Sequence, residues 1–101
     1  MIHVTARVTL KPGQATLFLR EFREVATLVR QEDGCLDYFP AMDVPMDLAG
    51  QKFDPDAVTI MEKWRNRDAL ESHLRSGHMR SFQERVSDII RSVSMNIVEE
   101  V

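Results

Sequence analysis

Ile2, Val4, Ala6, Val8 and Leu10 take every second position of the first ten residues, with His3, Thr5, Arg7 and Thr9 between them. Only an extended strand sends alternate side chains to opposite faces, so this segment must lay an apolar face on a core and turn a more polar face away. Lys11-Pro12-Gly13 ends the alternation. From Leu17 the apolar residues follow helical spacing instead, through Phe18, Phe22, Val25, Ala26 and Val29, and leave Arg20, Glu21, Arg23 and Glu24 for solvent. A strand that runs straight into an amphipathic helix calls for a sheet with helices packed on it.

The helix is expected to stop near Gly34, where glycine can adopt the left-handed conformation. CLDYFPAM, residues 35 to 42, reads as a second strand, and Pro40 places it at a sheet edge or a bulge. VTIMEKW, residues 58 to 64, reads as a third, with Val58, Ile60, Glu62 and Trp64 on one face. The segment 41–57 carries Pro45, Pro55, Gly50 and four aspartates. It is longer than an ordinary hairpin connection and reads as a loop, serving as a lid or a dimer arm. Asn66 or Asp68 can cap a short helix that ends near Arg75. Ser76-Gly77 interrupts it, and Met79, Phe82, Val86, Ile89 and Ile90 resume helical spacing before SVSMNIVEEV turns to strand character. The order strand, helix, strand, strand, helix, strand specifies an α+β, ferredoxin-like βαββαβ fold with an antiparallel sheet. The length, 101 residues, is that of one domain, 1–101. Helices cover one face of such a sheet. The other face mixes Thr59, Met61 and Lys63 with Ser94, Asn96 and Val98, and a sheet-to-sheet homodimer is the expected way to cover it.

Composition narrows the partners. Hydrophobic residues make up 44% and charged residues 29% of the chain, enough for a packed core. The net charge is −3, with 13 basic and 16 acidic residues interspersed, and no basic stripe is present to meet a phosphate backbone. The strands also lack the aromatic-rich pattern of RNA-binding sheets, so no nucleic-acid partner is expected. Cys35 is the single cysteine, which rules out an intrachain disulfide and suits the reducing cytoplasm; beside Leu36 it reads as packing rather than as a nucleophile. No stretch approaches 18 apolar residues, so neither export nor a membrane span is expected.

Chemistry concentrates in EKWRNRDALESHLRSGHM, residues 62 to 79. His73 and His78 invite a metal reading. On a continuous helix, however, five residues turn their rings about 140° apart, and no HExxH or paired-cysteine spacing supplies further ligands. General acid–base chemistry needs only one histidine beside an apolar pocket. Tyr38, Trp64 and Phe82 can wall such a pocket, with Met61 or Met79 filling gaps, or they can simply be core. Glu62 lies on the apolar parity of its strand, where a lone carboxylate is too costly. It either pairs with Arg65, Arg67 or Arg80, or accepts a proton or orients a histidine. Nucleotide-binding glycine motifs and the GxSxG elbow are absent, and Ser72 cannot face His73 from the next helical position.

Taken together, LKPG at 10–13, EDGCLDY at 32–38, EKW at 62–64 and ALESHLRSGHMRSF at 69–82 resemble the antibiotic biosynthesis monooxygenase domain family. The resemblance spans nearly the whole chain except 41–57. It implies a dimeric ferredoxin-like α+β barrel with a ligand cavity between sheet and helices. It also implies a cofactor-independent monooxygenase that helps a small quinol- or anthrone-like aromatic form an anion reactive toward dioxygen, with no cofactor and no metal. The family-like positions are Tyr38, Glu62, Trp64, His73 and His78. On this resemblance His73 is the base or substrate hydrogen-bond partner and His78 the second candidate. Trp64 and Phe82 are walls, and Tyr38 and Glu62 orient polar groups. The haem-degrading branch of the same superfamily has positions that fall near Ala6, His73 and Gln83; glutamine stands where that branch has its haem-ligating histidine. Two other functions use the same features: an isomerase with the same base and no oxygen, and a non-catalytic dimeric small-molecule-binding or stress-response protein.

Overall fold

A computed structural model describes all residues, 1–101. Its elements are β1 (Ile2–Leu10), α1 (Ala15–Val29), β2 (Cys35–Met42), β3 (Ala57–Trp64), α2 (Arg67–Leu74), α3 (Gly77–Val86), a single 3₁₀ turn at Ser87–Ile89, and β4 (Ile90–Glu99). The four strands form one sheet in the order β2-β3-β1-β4, antiparallel at every pairing. This is the expected ferredoxin-like arrangement. The alternation in β1 does what its period requires: Ile2, Val4, Ala6, Val8 and Leu10 are buried, and the residues between them are half-buried on the other face. β3 repeats this with Val58, Ile60, Glu62 and Trp64 turned toward the helices. Phe18, Phe22, Val25, Ala26 and Val29 form the buried stripe of α1 and close the core from above.

Two boundaries depart from the sequence expectation. α1 ends at Val29, short of Gly34, and the chain then makes a turn whose last residue is Gly34 at φ +86°. The glycine therefore leads into β2 rather than capping the helix. Ile89 and Ile90 do not continue α3: the chain leaves that helix at Val86, Ile89 ends the 3₁₀ turn, and Ile90 pairs with Leu10 as the first residue of β4. Branched side chains lose rotamer freedom in helices and fit the pleated sheet, and the backbone hydrogen bond from Lys11 to Ile89 ties the turn to the end of β1.

Pro40 sits on an edge strand, where its missing N–H costs no ladder bond. The connection from β2 to β3 is fastened at its base. Arg7 donates two hydrogen bonds to Asp43, at 2.9 and 2.7 Å, and Asp43 also accepts from the backbone of Asp54. These donors hold the Asp43 carboxyl below its ordinary range, the Arg7 bond foremost. Asp56 accepts from the backbone of Gly13. Beyond this base Val44, Met46, Leu48 and Phe53 stand exposed. On β4, Val93, Met95 and Ile97 share the helix-facing side with Val8, Ala6 and Val4, yet each is about half exposed, because the helices lie over the other strands.

Gly34 matters for the placement of the site. A Cβ built on it would lie 2.5 Å from Cβ of Ala69 in α2, and its carbonyl accepts a 2.8 Å bond from the backbone of Arg65. The turn after α1 is thus in direct contact with the start of α2. Gly13, also at positive φ, has open space around it. Gly13→Ala is expected to cost about 1 kcal/mol from backbone strain alone, and Gly34→Ala about 2–4 kcal/mol because α2 must also move. Urea denaturation of the two variants checks this; equal losses would show that the contact with Ala69 carries no weight.

Candidate active site

Asn66 begins α2 in extended conformation, and its side chain accepts a 2.9 Å bond from the backbone N–H of Ala69. Three residues after His73, Ser76 repeats the device for α3: ψ is 146°, and its hydroxyl accepts from the backbone of Met79. The hydroxyl also donates to the His73 carbonyl at 2.8 Å. This break between two short helices redirects the chain between the histidines. The divergence of about 140° that a continuous helix would impose is therefore not realised. His73 and His78 instead meet on one carboxylate.

That carboxylate is Glu32, from the turn between α1 and β2. Nδ1 of His73 lies 3.0 Å from Oε2 and 3.2 Å from Oε1, and Nε2 of His78 lies 2.6 Å from the same Oε2. His73 is only 1% exposed. Its ring packs against Trp64 at 4.6 Å between centroids and edge-on to Tyr38 at 5.4 Å. Burial lowers the His73 pKa, and the hydrogen bond and charge of Glu32 act in the opposite direction. Glu32, His73 and His78 form a hydrogen-bonded cluster and are not disposed as three ligands around a point.

Glu62 finds a partner that the arginine alternatives did not include. The Trp64 indole donates a 2.9 Å bond to Oε1 of Glu62, from two residues along the same face of β3. Burial pushes the Glu62 carboxyl up to about 7, against the lowering effect of the Trp64 bond and with a smaller upward contribution from Glu32. Tyr38 is buried opposite Glu62 in the strand register; its hydroxyl faces the Met79 sulfur at 3.8 Å, and its pKa is raised by burial and then by Glu62 and Glu32. Phe82 is farther along the interior. It meets Phe18 and Phe22 edge-on, and Phe22 stacks on Tyr38 at 5.2 Å. An aromatic row thus links Phe82 to His73 through Phe22 and Tyr38.

Of the six residues expected from the sequence, Trp64 bonds to Glu62 and packs on His73, Tyr38 meets His73 edge-on, His78 is joined to His73 only through Glu32, and Phe82 reaches Tyr38 through Phe22. Glu32 was missed. Its signal was weak: a glutamate in a polar turn after a helix, joined to His73 and His78 only through contacts 41 and 46 residues away.

The antibiotic biosynthesis monooxygenase family model matches residues 1–85. The chain belongs to this family. A relative from Escherichia coli K12, named probable quinol monooxygenase YgiN, is 29% identical over 101 residues, covering 98% of this chain and 97% of the relative. Among solved structures, the family chain superimposes on PA3566 from Pseudomonas aeruginosa with a TM-score of 0.81 and 26% identity, over 99% of this chain and 93% of the other. A conserved protein from Methanosarcina mazei Go1 shares the fold at a TM-score of 0.86 and 23% identity, over 99% and 92%. No helix of this family member is long and apolar enough to cross a membrane.

The pKa of Glu62 yields a stability prediction. Between pH 4.5 and about 7 the unfolded chain has ionised this group while the folded chain still holds the proton, so its contribution is full below pH 4.5 and is lost as pH rises through 7. His73 acts oppositely, since a buried neutral imidazole costs stability as pH falls below its unfolded value. Glu62→Gln keeps an acceptor for Trp64 and removes only the first effect. The variant is expected to gain up to about 3 kcal/mol over the parent between pH 4.5 and 8. Denaturant titrations at both pH values measure it, and a pH-independent difference would contradict the buried, neutral carboxyl.

Proposed function

We propose that the chain is a cofactor-independent monooxygenase that oxidises a small quinol- or anthrone-like aromatic with dioxygen. The observation that carries this reading is the buried imidazole of His73, enclosed by Trp64 and Tyr38 and bonded within the chain through Nδ1 alone. An imidazole in such surroundings can take the proton of a phenolic hydroxyl, and flat side chains suit a flat substrate. The electron-rich anion then reacts with dioxygen itself. Tyr38, Trp64 and Phe82 bind the substrate, Glu62 orients a polar group of it, and His78 is the second candidate for the base or substrate hydrogen-bond partner. The name of the Escherichia coli relative supports the quinol class. Substrate entry requires α2 and α3 to open, because Trp64, Tyr38 and Phe82 are packed in the core.

That packing favours a second reading, a non-catalytic small-molecule-binding protein whose histidines are occupied by Glu32. Oxygen uptake separates the two. With metal-free protein and a panel of quinols and anthrones, substrate-dependent uptake above the uncatalysed rate is expected, and His73→Ala is expected to lower kcat by about a hundredfold or more. Uptake no faster than the uncatalysed rate across the panel sinks the oxygenase reading. Turnover that persists without oxygen replaces it with an isomerase.

In the same reading the protein is a cytoplasmic homodimer joined through the open sheet face, which carries Phe39 and Val98 beside the exposed apolar residues of the 43–56 connection. Light scattering is expected to give twice the chain mass of 11.7 kDa; a monomer at micromolar concentration refutes the dimer.

A further inference from the structure

We propose that Glu32 is a positioning residue of the reaction, holding His73 in the single tautomer that carries its proton on Nδ1 and presents the lone pair of Nε2 to the substrate. This rests on the reading of His73 as the base. A carboxylate oxygen can only accept, so a neutral His73 ring bonded to Glu32 must donate from Nδ1. Nε2 is then the unprotonated nitrogen, with no hydrogen-bond partner in the chain. When it takes a proton, the substrate O–H bond breaks, its electron pair stays on oxygen as the anion, and an N–H bond forms at Nε2. The resulting imidazolium lies 3.0 Å from the Glu32 carboxylate, which stabilises it without taking a proton.

Three features fit this role better than a surface ion pair. Glu62, the other carboxylate near His73, is committed to Trp64. The Glu32 side chain is only 15% exposed, and His78 binds the same Oε2, so the carboxylate is held from both sides. The turn that carries it is locked to α2 through Gly34, at Ala69 and at the Arg65 amide. The base and its partner therefore move as one piece. Tyr38 from β2 and Trp64 from β3 pack on His73, with Glu62 behind Trp64; Glu32 is faced by His78 from α3 and shares a surface pocket with Asp33 of its own turn, Arg65, and Asp68 of α2. His78 itself borders a surface groove of about 540 Å³ with Glu21, Glu24 and Arg85.

The test has two arms. In ¹⁵N-labelled protein, long-range proton–nitrogen correlation spectra read the tautomer of His73 directly, with or without turnover. The parent should show Nδ1 protonated and Nε2 bare; Glu32→Gln should lose that single tautomer, and Glu32→Asp should restore part of it. In the kinetic arm, Glu32→Gln should lower kcat by about tenfold or more with KM changed by less than about threefold. It should also move the acid limb of the kcat profile to lower pH, because the carboxylate no longer raises the affinity of His73 for a proton. A merely structural glutamate would reduce the folded fraction and leave tautomer and pH limb unchanged. Retention of the Nδ1–H tautomer in Glu32→Gln overturns the proposal, as does an unshifted pH limb. If the parent shows the tautomer and oxidises no member of the panel, the oxygenase reading falls while the assignment of the His73 proton stands.

Discussion

An imidazole and a carboxyl group sealed into an apolar interior must each find a partner, and the helical layer of this protein is arranged by that demand. Leaving such a group unpaired costs more than a typical buried apolar contact returns. His73 is therefore met by Glu32 from outside α2, and Glu62 is met by the indole of Trp64. No side-chain nitrogen or oxygen that is wholly closed off from solvent is left without a partner. The first pairing fixes the distance between the α1–β2 turn and α2, and the second fixes the rotamer of the largest side chain in the core. Both are polar solutions, and both determine where apolar surfaces meet.

The same constraint explains why the two short helices are separate. A continuous helix would satisfy its own backbone but would carry His78 away from Glu32. Ser76 makes the break cheap: its hydroxyl donates to the last turn of α2 and accepts from the first turn of α3, so backbone groups at both ends are paired. The cost of interrupting the ladder is offset locally, and the histidines gain a common partner.

Much of this was legible in the sequence, and the parts that were not share a cause. Period two in Ile2–Leu10 and 58–64 and helical spacing from Phe18 to Val29 specified the sheet, its buried face and its covering helix, because one apolar face is a local property of a segment. The break at Ser76-Gly77 was legible for the same reason. Its direction was not, since ψ at Ser76 decides it. Glu62 was recognisable from its parity as a carboxylate in need of a partner, but the arginines considered for it were the wrong ones: the partner is Trp64, two residues on along the same face. Glu32 had no local mark. Its place is set by α1 ending at Val29 and by the fit of Gly34 against Ala69, both outcomes of tertiary packing.

The clasp of Arg7 on Asp43, with Asp54 and Asp56 tied in beside it, separates the ends of the β2–β3 connection from its middle. The cost of closing the loop is borne by that base, and it grows only slowly with the length of chain beyond. Residues 44–53 are thus a cassette: their length and sequence can drift, or be exchanged by design, without disturbing the register of the strands on either side.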